Sequence, residues 1–216
     1  MIKIDDVEVF GFRKAIQGVR NSFDSWDRSD SIDAGDAYII GNEDMKLVTS
    51  LIKAGASHRK FTRMIHVQFN MIAPLFFYKQ FDTYKIGTTA NSTSTKHTLM
   101  KKHLSIDDFS IDSGCQSVDK AMKLIEDVIE AMNELIDRHH ATSDEDERNA
   151  IERAEFQLLP ESFNQLRTID LNYETLLTIY FQRRYHKLSC WHEFCEWIES
   201  LPYMPEFIDA CKKGLK

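Results

Sequence analysis

The chain has 216 residues, of which 27 are basic and 34 acidic, for a formal charge of −7, and 43% are apolar. That apolar share can build a core and excludes disorder over most of the length, while 4 Pro and 8 Gly exclude a collagen-like or low-complexity chain. The acidic balance argues against a broad duplex-DNA binder, which needs a basic face to release counterions, but leaves room for a basic pocket around one phosphate.

No apolar run approaches the roughly 18–20 residues that span a bilayer, so no membrane partner is expected. The first ten residues carry Asp5, Asp6 and Glu8, unlike a signal peptide. Cys115, Cys190, Cys195 and Cys211 form no CxxC pair, and the expectation is reduced thiols in a cytoplasmic protein.

In chain order, the alternation of Ile4, Val7 and Val9 with polar residues predicts a short strand over 3–12. Residues 20–41, rich in Ser, Asp and Gly, read as a long flexible loop, a length that is uncommon without a function. Asn42 opens a helix with Glu43 and Asp44 in its first turn and an apolar stripe of Leu47, Val48, Leu51 and Ile52; Gly55 stops it. Ile65, Val67, Phe69 and Met71 alternate with polar residues and predict a strand over 64–72, with Pro74 starting a helix over 75–80.

Residues 81–97 hold seven Ser/Thr and almost no aliphatic side chain. Farther on, Val118, Met122, Ile125, Ile129, Met132 and Ile136 fall at 4-3-4-3-4 spacing and predict a long amphipathic helix over 117–138. Residues 142–148 are a charged turn or helix start. Helices follow over 152–159, 171–187 and 189–200, the last ended by Pro202 and Pro205. With no repeat and no clear linker, the expected architecture is one α+β domain over 1–216, with a central sheet, a long helix and a helical C-terminal half.

The chemistry concentrates in 79–97. Hydroxyls and backbone N–H groups donate to phosphate oxygens, and Lys79, Lys85 and Lys96 supply charge. The alternative is a solvated polar loop; the apolar run FNMIAPLFF just before it favours a stretch held rigidly as a site. The run YHKLSCWHEFC pairs His186 with Cys190 and His192 with Cys195 at helical spacing, but Trp191, Phe194, Cys195 and Ile198 make an ordinary core stripe, so no metal is expected. His139-His140 reads as a helix C-terminus, and the 144–146 acidic run as a solvated face.

An apolar strand, Ala73-Pro74, a short helix, Lys79-Gln80 and a polar loop together resemble the flavin-dependent thymidylate synthases, the ThyX family, whose signature here is R-Q-x-x-R-H-R-x-x-S-x-N-E-x-S-x-R-Y. With one residue inserted after Lys85, the segment from Asn91 to His97 stands for N-E-x-S-x-R-Y: Asn91 and Ser94 are identical, Lys96 keeps the charge, and Ser92 replaces the Glu. Thr83-Tyr84-Lys85 stands for Arg-His-Arg. Downstream, Leu159-Pro160 matches a Leu-Pro whose preceding Arg is Phe156 here, and Asn172, Leu176 and Arg183 keep the N-x-R-x-L-x(6)-R spacing, with Glu174 for the middle Arg. Leu51-Ile52, Gly55 and His58 resemble L-x-x-x-G-H, and Trp191 stands nearest the Trp of A-Q-W-E-I-R. Arg20, Asn21 and Ser22 resemble an Arg-x-Ser flavin contact.

The resemblance implies a homotetramer that binds FAD and dUMP and methylates dUMP reductively to dTMP, with methylenetetrahydrofolate and NADPH as co-substrates and no protein nucleophile. It implies that Gln80, Asn91, Ser92, Ser94 and Lys96 bind the nucleotide, that Asn172, Thr83, Tyr84 and Lys85 face the flavin, and that Arg183 is the catalytic residue, polarising a pyrimidine carbonyl. It requires the hydroxyl-rich stretch and Arg183 to meet around one ligand. Thr83-Tyr84-Lys85 in place of Arg-His-Arg, Phe156 and Glu174 are departures that remove cations. Tyr84 as a stacking ring, Lys85 for a phosphate, and Arg59, Lys60 and Arg63 are candidate replacements. The alternative is a non-catalytic nucleotide-binding homologue that kept the scaffold and the oligomer.

Overall fold

The structure is a computed structural model, and it describes residues 1–35 and 37–214. Of the expected loop and domain, Asp36, Leu215 and Lys216 lie outside the described residues.

Four strands form one sheet: β1 (Lys3–Phe10), β4 (His66–Pro74), β6 (Asn164–Asn172) and β5 (Thr88–Ser92), in that spatial order. A two-stranded antiparallel ribbon pairs β2 (Ile32–Asp33) with β3 (Tyr38–Ile39). The helices are α1 (Phe12–Asn21), α2 (Asn42–Lys53), α3 (Leu75–Phe81), α4 (Thr95–Thr98), α5 (Ser113–Gln116), α6 (Asp119–Ala141), α7 (Glu145–Leu158), α8 (Tyr173–Arg183), α9 (Ser189–Ser200) and α10 (Met204–Gly214). This is the mixed α and β class expected from the sequence. The residues divide into two compact units, and the division falls inside each strand of the larger sheet.

The first unit holds residues 1–4, 71–83 and 91–168. Its core joins Leu99, Leu104 and Phe109 to Met132 and Ile136 of α6, with Leu159 and Phe163 packed alongside. The α6 stripe follows the predicted spacing, but burial is complete only in its second half: Met132 and Ile136 are buried, whereas Val118 and Leu124 are more than half exposed. Asn133 clamps Leu104 from both sides, accepting from its N–H at 2.7 Å and donating to its carbonyl at 2.9 Å. Asp144 caps α7 by accepting from the Asp146 N–H at 2.9 Å. In the last turn of α7, Glu155 is fully buried and neither carboxylate oxygen has a hydrogen-bond partner. Burial pushes its pKa up to about 7.

The second unit holds residues 5–70, 84–90 and 169 onward. Phe12, Ala15, Ile16 and Val19 give α1 an i, i+3, i+4, i+7 buried face. Its core continues through Val48 and Ile52 of α2, Leu176 and Leu177 of α8, and Trp191, Phe194 and Ile198 of α9. Gly55 follows α2 at φ +102°, as its stop position requires. The 20–41 segment is tied by Asp44, which pairs with the Arg20 Nε at 2.7 Å and accepts from the Ser29 and Ser31 hydroxyls at 2.7 and 2.6 Å.

Several elements differ from the sequence reading, among them α1, the β2–β3 ribbon inside the expected 20–41 loop, β5 and β6, and two of the differences have a plain local cause. Residues 171–172 end a strand, and the helix begins at Tyr173, because the Asn172 side chain caps it by accepting from the Thr175 N–H at 2.9 Å. Pro205 lies in the first turn of α10, where a proline without an N–H is tolerated, so it opens a further helix and does not only end α9. Among the described residues no helix is long and apolar enough to cross a membrane.

Candidate functional site

In the first unit, the chain leaves α3 through Gln80. The Thr83 hydroxyl donates to the Gln80 carbonyl at 2.7 Å, closing the helix end and committing the hydroxyl to the chain itself. Lys79 is paired with Glu161 at the surface. Asp82 holds Arg167 at 2.7 Å, and that guanidinium lies 3.7 Å from the centre of the Tyr78 ring.

Asn91 and Ser92 lie on β5, and Ser94 occupies the N-cap position of α4. All three, and Lys96, are exposed, and their side chains have no partner among the described residues. The Ser94 carbonyl takes the helix-initiating bonds, accepting from the His97 N–H at 3.1 Å and the Thr98 hydroxyl at 2.8 Å. The Ser94 hydroxyl itself stays available.

Lys96 lines a groove of about 460 Å³ between the α4 segment and α7. Thr95 and Leu99 form one wall with Lys96, and Asn149, Arg153 and Phe156 form the other. This volume lies within the range of small-ligand sites. Asn149 and Arg153 are not singled out by the sequence. They share a face with Phe156 only once α7 is seen to begin at Glu145, placing 149, 153 and 156 at i, i+4, i+7.

In the second unit, Arg183 at the end of α8 is held by aromatic rings. Its Nε donates to the Tyr84 hydroxyl oxygen at 2.8 Å, and its guanidinium carbon lies 4.8 Å from the Trp191 ring centre. The Tyr84 hydroxyl also lies 3.0 Å from the Gln182 side-chain oxygen, to which it donates. Such a clamp fixes a guanidinium's direction while leaving its charge intact. Lys85 is exposed and has no partner among the described residues.

Asn172 is 7% exposed, and its Oδ1 caps α8. Thr175 completes the junction by donating to the Ile86 carbonyl at 2.8 Å. Gly87, at φ +70°, sits so close that a Cβ there would lie 2.2 Å from the Asn172 Nδ2. The 84–88 turn and the start of α8 are thus one locked piece.

Glu174 accepts from the Arg59 guanidinium at 2.9 and 3.0 Å and from the Thr62 hydroxyl at 2.8 Å. The acidic replacement therefore neutralises Arg59, which does not serve as an open replacement cation. His192 lies 2.6 Å from the His186 carbonyl, and burial pushes the Cys190 and Cys195 thiols up to about 11 and about 12. Among the described residues no group of three or more His, Cys, Asp or Glu side chains is arranged to hold a metal.

Neither a protein-family model nor a curated protein sequence matches the chain. Solved structures do. Thymidylate synthase X from Helicobacter pylori with FAD and dUMP aligns over 98% of this chain and 100% of its own, with a TM-score of 0.75 and 16% identity. A second structure of the flavin-dependent enzyme from the same organism, complexed with FAD and dUMP, aligns over 95% of this chain and 99% of its own, at TM-score 0.73 and 16% identity. The UMP/dUMP methylase PolB from Streptomyces cacaoi, bound with 5-Br dUMP, covers 98% of this chain and 95% of its own, at TM-score 0.69 and 16% identity. The chain has the fold of the flavin-dependent thymidylate synthases.

Proposed function

We propose that the protein binds a pyrimidine deoxynucleotide in the groove at Lys96, and that its reaction is the reductive methylation of dUMP to dTMP. The observation that carries this reading is the likeness of fold over 98% of the chain to a thymidylate synthase holding FAD and dUMP. Methylenetetrahydrofolate as methylene donor, NADPH as reductant and a homotetrameric assembly complete the proposal. Val118 and Leu124, more than half exposed at the start of α6, are apolar side chains that an assembly would cover, which supports one.

The residues on the nucleotide side suit their roles. Ser94 offers a hydroxyl and Lys96 an ammonium, neither committed within the described residues. Both are the donors a phosphate takes. Arg183, held in direction by Tyr84 and Trp191, suits the polarising of a pyrimidine carbonyl: a pre-oriented cation stabilises negative charge as it develops there, with no reorganisation at the moment of reaction.

FAD enters the proposal through the fold likeness, and the residues expected to hold it fit it poorly. Thr83 bonds its own helix end, Tyr84 is engaged by Arg183 and Gln182, and the Asn172 oxygen caps α8. Lys85 presents an exposed donor without a partner among the described residues. This favours the second reading, a homologue that binds nucleotide without catalysing methylation.

The purified full chain separates the two readings. A visible flavin band, retained through gel filtration, together with rescue of a thymidine-requiring strain, supports the methylating enzyme. Colourless protein that does not shift added FAD, yet binds dUMP, supports the non-catalytic homologue. Failure to bind dUMP rejects both.

A further inference from the structure

We propose that Arg153 and Phe156 of α7 complete the nucleotide subsite of the first unit, Arg153 joining Lys96 on the phosphate and the Phe156 ring stacking on the base. This rests on the reading that the groove takes a nucleotide, and it adds the residues by which this particular chain would do so.

Spacing comes first. Residues 153 and 156 are three apart on α7 and project to one side, facing Lys96 across the groove. The two cations are uncommitted: neither Lys96 nor Arg153 has a partner among the described residues. Among the described residues lining the groove the one carboxylate is Glu152, and it is engaged by the His139 Nε2 at 3.2 Å. Two open cations on facing walls suit a phosphate dianion better than either alone.

Phe156 is 59% exposed and lines the groove, so its ring is open to a ligand there. Leu99 and Met100 give the groove an apolar surface beside it. A ring in this setting provides a flat apolar face for a heterocycle, and base stacking of this kind is tolerant of base identity. The resemblance puts an arginine where Phe156 stands. A phenyl ring cannot bind phosphate, and Arg153, one turn earlier on the same face, restores the cation to the groove. The chemical class recognised is therefore a nucleoside monophosphate, with the base gripped by its face.

The test is calorimetric titration of the full chain with dUMP and with deoxyuridine, using wild type, Arg153→Gln, Phe156→Ala and Phe156→Trp. Both positions are exposed, and circular dichroism checks that the variants fold. Arg153→Gln is expected to weaken dUMP about tenfold, to flatten its salt dependence and to leave deoxyuridine unchanged. Phe156→Ala is expected to weaken both ligands about tenfold, and Phe156→Trp to retain binding. Wild-type affinity for dUMP in both Arg153→Gln and Phe156→Ala would overturn the inference while leaving nucleotide binding standing. A wild-type chain that binds no dUMP would overturn the underlying reading and this inference with it.

Discussion

Arg183 and Tyr84 are 99 positions apart in the chain, and the Arg183 Nε donates to the Tyr84 hydroxyl oxygen at 2.8 Å. The tyrosine stands where the resemblance has a histidine between two arginines, so a position expected to contact flavin positions a guanidinium. Tyr84→Phe keeps the ring and deletes the bond. Loss of one partly solvated hydrogen bond is expected to cost about 1 kcal/mol in nucleotide binding, roughly a fivefold weaker affinity. Titration with dUMP checks this; an unchanged affinity would show that Tyr84 does not orient Arg183 for a ligand.

Gly87→Ala should destabilise the second unit. The position has φ +70°, and the added methyl would lie 2.2 Å from the Asn172 Nδ2 and 3.3 Å from the Thr175 Oγ1. A loss of roughly 1–3 kcal/mol is expected. Gly55→Ala is the comparison: φ is +102°, but nothing lies within 4 Å of its Cβ, so only the backbone term applies. Urea unfolding of the two variants should show the larger loss at Gly87, and equal losses would remove the packing argument.

Glu155 makes stability depend on pH in a definite direction. Its pKa is raised by burial from 4.5 to about 7. The folded chain therefore holds this proton more tightly than the unfolded chain. Stability from the protonated group is complete below about pH 4.5, declines as pH rises, and is lost above pH 7. The full penalty is roughly 3 kcal/mol at 1.36 kcal/mol per pKa unit. Glu155→Gln cannot ionise, so its urea midpoint should lose the part of the pH slope that falls between these limits. An identical slope in wild type and variant would contradict this assignment.

Asp44 behaves in the opposite sense. Burial works to raise its pKa, but hydrogen bonds from Ser31, Ser29 and Arg20 outweigh that and hold it below 3.8. The stabilisation is present above the unfolded value and is lost as pH falls through the folded one. Asp44→Ala leaves Arg20, itself 4% exposed, without its carboxylate, and is expected to cost about 3–5 kcal/mol. Faster proteolysis between residues 25 and 40 should accompany that loss, since Ser29 and Ser31 lose the same acceptor. Wild-type stability and protease resistance in the variant would mean that other contacts hold the segment.

Elements whose burial follows a simple period were legible in the sequence. The stripe of α2, the alternation of β4 and the 4-3-4 spacing of α6 all report one apolar face against a core. β5 was not legible, because TTANS is a polar strand that lies at the sheet edge and buries no side chain fully. β6 was missed for a different reason: Arg167 and Asp170 interrupt its pattern, although Arg167 lies over the Tyr78 ring and only Ile169 and Leu171 show the buried face before Asn172. Of the expected site residues, Ser94 and Lys96 proved open, whereas Thr83, Tyr84 and Asn172 are tied by hydrogen bonds. The bond from Arg183 to Tyr84 and the packing of Asn172 on Gly87 join distant parts of the chain, which no local spacing reveals.

Nucleotide binding is tested most directly by calorimetric titration of the purified full chain with dUMP, at low and at high salt. Saturable binding of one nucleotide per chain, weakened by salt and by Lys96→Gln, is the expected result. No saturable heat at millimolar dUMP, from protein shown by circular dichroism to be folded, would contradict it.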